Sequence, residues 1–240
     1  MRINVKHIAL LVAALVAAAP ARAADADMPK HGESGVFHAA TADIDITHGR
    51  EGNLKTWDAD GWIGGDVNRL WLASEGDVVD SKATKAELWA MYGRNVSPFW
   101  DAQLGVRHDF APRDTTYLVA GLEGMAPYFF ETRVHLFVSE EGDISARVKQ
   151  ELDLPVTQRL ITQPHLELNL FAQDVPELEK AAGLAEAEVG LQTRYEITRE
   201  FAPYLDINYT RKVGENAGLA HRHQEPADDL TLRLGIRLKF

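Results

Sequence analysis

The side chains of this 240-residue chain that could hold a metal ion are nine histidines and four methionines, for there is no cysteine. Any metal site must therefore be built from imidazole, thioether and carboxylate groups. Thioether favours soft monovalent ions, and imidazole suits either kind. Met28 and His31 stand near the N-terminus, and His221 and His223 form a His-x-His pair in a polar stretch near the C-terminus. In a solvated loop such a pair is more often an ordinary polar surface than a ligand set. Met91, His135 and His165 alternate with apolar residues, so a strand turns them away from its apolar face. Outside the first 23 residues, His38, His48, His108 and Met125 complete the set.

His135 and His165 allow a geometric expectation. Counting back from the connections on either side of residues 144–154 places both opposite Arg147 and Lys149. Two strand spacings, roughly 9–10 Å in all, then separate them. Imidazoles reaching into a shared interior would converge on one ion. The basic residues between them would repel that ion, and a hydrogen bond from each histidine to a carboxylate is the competing outcome.

Catalysis is not expected. The chain has no Gly-x-Ser-x-Gly elbow, and His108-Asp109 lacks a serine at triad spacing. The pairs Asp43/Asp45 and Asp58/Asp60 fall on one strand face, where they read as interior charges rather than as a general acid and base.

The elements that must position these residues are strands of a membrane barrel. Arg2 and Lys6, an apolar core from Ile8 to Ala19 and the Ala21-Arg-Ala23 cleavage site make residues 1–23 a signal peptide. A short periplasmic segment, 24–36, and an outer-membrane barrel over 37–240 are expected to follow. Setting Arg2, Lys6 and Arg22 aside from the 25 basic side chains leaves 22 against 36 acidic ones, which argues against nucleic acid. After the leader no apolar run is long enough for a spanning helix, and mean hydropathy is −0.23. A membrane protein of that hydropathy must cross with strands, of which only alternate residues meet lipid.

Twelve alternating segments are expected: 38–48, 54–64, 69–75, 83–94, 99–110, 115–124, 128–139, 144–154, 159–171, 185–197, 201–213 and 229–240. The last ends Leu232-Arg-Leu-Gly-Ile-Arg-Leu-Lys-Phe240, apolar at every second position, as a closing strand should be. Tight connections at 65–68, 95–98, 125–127, 155–158 and 198–200 alternate with longer polar ones, including 173–184 and 214–228. Tight turns and both termini are assigned to the periplasm. Arg147, Lys149, Glu151, Glu167, Glu188 and Arg194 should line a lumen in which charges of both signs pair.

Several longer motifs carry a family resemblance. They include Trp57-Asp-Ala-Asp-Gly-Trp-Ile-Gly-Gly-Asp66, Ser97-Pro-Phe-Trp-Asp-Ala-Gln-Leu-Gly-Val-Arg-His-Asp-Phe110 and Ala126-Pro-Tyr-Phe-Phe-Glu131. Val138-Ser-Glu-Glu-Gly-Asp143, Ala172-Gln-Asp-Val-Pro-Glu-Leu178 and Arg199-Glu-Phe-Ala-Pro-Tyr204 continue the series in order. Together they resemble the copper resistance protein B family from about residue 36 onward. The resemblance implies an outer-membrane barrel, monomeric and in contact with lipid, that binds copper ions or passes them across the membrane. It also implies periplasmic copper-handling proteins as partners. Members often carry a Met- and His-rich segment before the barrel; residues 24–37 hold only Met28 and His31. A general small-solute pore of the same fold is the alternative.

Overall fold

The computed structural model describes residues 35–49, 52–222 and 226–240. Met28, His31 and His223 lie outside the described residues. The strands are β1 (Phe37–Gly49), β2 (Gly52–Gly64), β3 (Asn68–Val79), β4 (Lys82–Ser97), β5 (Trp100–Ala111), β6 (Thr115–Ala126) and β7 (Phe130–Ser139). They continue as β8 (Ile144–Glu151), β9 (Leu154–Pro155), β10 (Leu160–Phe171), β11 (Gly183–Tyr195), β12 (Phe201–Lys212) and β13 (Asp228–Lys239).

Consecutive strands pair antiparallel throughout, except that β8 pairs with β10 and not with the short β9 between them. β8 and β9 both pair with β10, so they form one stave broken at Leu152-Asp153, and the wall has twelve staves. The expected 144–154 strand is thus interrupted. Closure comes from β1 against β13, in register from Thr41↔Lys239 to Thr47↔Arg233. Phe240 extends the seam: its N–H donates to Ala40 O at 2.8 Å, and Ala40 N–H donates to Phe240 O at 3.0 Å. A closed wall leaves no free edge, which is what lets a sheet live in lipid. No helix among the described residues is long and apolar enough to cross a membrane.

The period of two sorts the side chains. Along β12, Ala202, Tyr204, Asp206 and Asn208 are buried, whereas Leu205, Ile207 and Tyr209 are exposed. Leu104 and Val106, Leu118, Leu136, Val189 and Leu191, and Leu230 to Ile236 on β13 extend the apolar exterior. The 214–228 connection, expected as a polar loop, contains a short helix, α1 (Glu215–Arg222). Asn216 ties this helix to the preceding long connection, exchanging hydrogen bonds with the backbone of Ala181.

Candidate functional site: the barrel lumen

Two cavities open in the lumen on either side of a layer of paired charges. The larger, about 460 Å³, reaches Thr84, Pro112 and Lys180 and so opens toward the end with the long connections. Its wall is rich in carboxylates, among them Asp43, Asp45, Asp77, Glu188 and Asp206. The smaller, about 50 Å³, lies toward the tight-turn end, among Asp60, Trp71, Met91, Glu123, Arg133 and His135. Asp58, Glu75, Arg147 and Lys149 line both cavities and therefore form their common wall.

That wall is built from opposite sides of the barrel. Arg147 on β8 donates to Glu87 on β4 at 3.0 and 3.2 Å, and also to Glu75 on β3. Its Nε donates to Asn169 Oδ1 on the adjoining β10 at 3.1 Å. Lys149 Nζ sits among three carboxylates: Glu75 at 3.1 Å, Glu167 at 3.4 Å and Asp58 at 3.5 Å. Asp58 is on β2, six staves from β8 in either direction round the wall. Lys85 adds a third cation, 3.3 Å from Glu75. Taking these charges out of water is costly, and multiple pairing is what makes the burial tolerable.

His135 is 7 % exposed and faces Gly121 across β6–β7. A Cβ at Gly121 would sit 2.4 Å from the His135 ring, so the glycine is what leaves room for it. Gln103 Nε2 donates to Glu123 at 2.7 Å, which turns its carbonyl oxygen toward His135 Nε2 at 2.9 Å. An amide oxygen only accepts, so His135 Nε2 carries a proton and donates it to Gln103. The ring packs edge-on to Trp89 with centroids 5.2 Å apart. Trp89 in turn belongs to a buried cluster with Met91, Tyr117, Val119 and Phe137. Arg107 lies over Tyr117 and Phe137 at 4.4 and 4.5 Å, and its fork grips Asp109 at 2.7 and 2.6 Å.

His135 and Met91 line the same small cavity, whereas His165 lines the larger one. His135 pairs with Arg147 as expected, but His165 pairs with Glu151, four residues further along β8. The displacement has a local cause. The tight turn closes at Thr157–Leu160, where Thr157 Oγ1 accepts from Arg159 N–H at 3.2 Å and Leu160 N–H at 2.9 Å. This moves the turn C-terminal to the expected 155–158 and slides β10 along β8. His165 lines the larger cavity instead, packed over Gly190, with Nε2 4.0 Å from Asp206 Oδ2. His221 is exposed on α1. His108 faces out of the lumen and is held by Thr116 at 3.0 Å and Asp114 at 3.1 Å. Among the described residues no three His, Asp or Glu side chains gather as a metal-holding group.

Gln103 and the aromatic frame around His135 are absent from the sequence-derived set. The parity that places Asp101 and Arg107 inside would also have placed Gln103 there. Its partners could not be read, because alternation fixes a face and not the neighbour across the lumen.

The model of a family described as copper resistance protein B precursor matches residues 37–240. Copper resistance protein B of Escherichia coli is 38% identical over 189 residues, covering 78% of this chain and 64% of that protein. A copper resistance protein B homolog of Pseudomonas syringae pv. tomato is 38% identical over 191 residues, covering 79% and 65%. The chain thus spans just under two thirds of the length of the curated relatives it matches. Among solved structures, the NanC porin superposes with a TM-score of 0.57 at 11% identity, over 83% of this chain and all of that one. The KdgM porin gives 0.51 at 10% identity, over 84% and 99%. At such identities the likeness is one of fold.

Proposed function

Because the chain belongs to the copper resistance protein B family, we propose that it is an outer-membrane barrel of copper tolerance that passes copper ions through its lumen. The observation that carries this reading is the family match over the whole barrel, residues 37–240. The carboxylate-lined cavity supports it, since an acidic concavity raises the local concentration of cations at its mouth. Met91 and His135 in the inner cavity offer thioether and imidazole, a pair suited to soft Cu(I). The guanidiniums of Arg107 and Arg147, both stacked near Trp89, disfavour a doubly charged ion there. In this reading the site holds a passing ion briefly, and the barrel acts through its lumen rather than by catalysis.

Both termini and the tight turns face the periplasm, and the long connections face outward, so the acidic cavity meets the exterior first. An even stave number supports placing both termini on one side. The leader ends near residue 23, the barrel works as a monomer, and periplasmic copper-handling proteins meet it at the tight-turn end. Growth on copper tests the proposal. A strain lacking the gene is expected to lose copper tolerance and to regain it on complementation, with zinc tolerance unchanged. Equal growth of deletion and parent on copper would sink it.

A further inference from the structure

We propose that Arg147 and Lys149 are the gate and selectivity residues of this lumen, tethered cations seated where a permeating cation must pass. The inference rests on the reading that ions traverse the barrel. Three observations carry it. Both side chains line both cavities, so the route between them runs past these two heads. Both reach partners four to six staves away, so they close the lumen rather than decorate one wall. Lys149 also centres its ammonium among Asp58, Glu75 and Glu167, carboxylates of three different strands that hold the head within the lumen.

The chemistry follows. A cation descending from the acidic cavity meets carboxylates already neutralised by protein cations. It moves on only by replacing Lys149 against Glu75 and Glu167 while the four-carbon stem swings the ammonium aside. Arg147 holds the neighbouring carboxylate of Glu87 through two hydrogen bonds and is the more firmly fixed of the two. Anions meet a barrier at the acidic cavity before they reach the gate, so the order of charges selects cations in the manner of charged rings in channels.

Single-channel current in planar bilayers bathed in potassium chloride tests this with the full barrel. The chain has no native cysteine, so Lys149→Cys introduces a unique thiol. The parent is expected to show a small conductance and Lys149→Cys one several-fold larger. A methanethiosulfonate reagent bearing an ammonium group should return it toward the parent. The sulfonate reagent should leave it high and more cation-selective. A folded Lys149→Cys barrel with parent conductance, equal effects of the two reagents, or a parent already conducting as a wide pore would each overturn the proposal. Lys149→Gln keeps reach and hydrogen bonding without the charge; it carries the same expectation if the cysteine variant fails to insert, and parent conductance in it is equally fatal. Current carried by potassium and chloride is independent of copper, so copper-insensitive growth would remove the copper reading and leave the gate standing.

Discussion

At the residue scale, His135 is defined by what surrounds it. Glu123 orients Gln103, Gln103 accepts from His135, and Gly121 leaves the space the ring occupies. Gly121→Ala should push the ring from its slot and lower stability by about 1–3 kcal/mol, as overpacking usually does. His135→Ala should cost a similar ~1–3 kcal/mol by leaving the buried Gln103 oxygen without a donor. Urea titration of refolded barrel, followed by tryptophan emission, checks both; parent-like midpoints would contradict the arrangement. Arg107→Ala is the harsher change. It leaves Asp109 buried without its bidentate partner, for which the expected loss is about 3–5 kcal/mol in the same titration. That His135 and Arg107 face inward was legible from alternation with Val134, Leu136, Val106 and His108. Which inward residues touch was not, because contacts across a lumen depend on register summed over several turns.

At the element scale, β13 shows how far a strand can be read without a structure. Its alternation gives the two faces, and Leu234 pairs with Ile46 on one side and Leu205 on the other, all exposed on the lipid side. Leu234→Arg, near the middle of the strand, is therefore expected to cost about 2–4 kcal/mol of barrel stability in bilayers. Its lumenal neighbour Arg233→Leu should perturb the barrel differently, through the loss of a cation 3.7 Å from Glu188. Guanidinium titration in lipid vesicles compares them, and an unperturbed Leu234→Arg barrel would contradict the assignment of the outer face. The β8–β10 connection marks the limit of such reading. The corner expected at 155–158 forms instead at Thr157–Leu160, where Thr157 supplies the oxygen that caps it and the backbone donors are satisfied. A shift of that size carries His165 away from Arg147 and dissolves the expected histidine pair, although each stave of the wall lies within a few residues of its expected span.

At the scale of the whole molecule, the barrel is an apolar sleeve around a divided acidic interior. Hydrophobic residues meet lipid, the β1–β13 seam removes the free edges, and the charges that would be intolerable in lipid satisfy one another inside. The division of the lumen by Arg147 and Lys149 is a property of closure, since Asp58 and Lys149 meet only because the sheet curls until β2 and β8 are opposite. Copper handling is the central claim, and it is tested most directly by copper entry into vesicles that carry the purified barrel and enclose an impermeant copper chelator. Vesicles with barrel are predicted to accumulate more copper than protein-free vesicles of the same lipid and the same enclosed chelator. Equal copper in the two preparations would contradict the account.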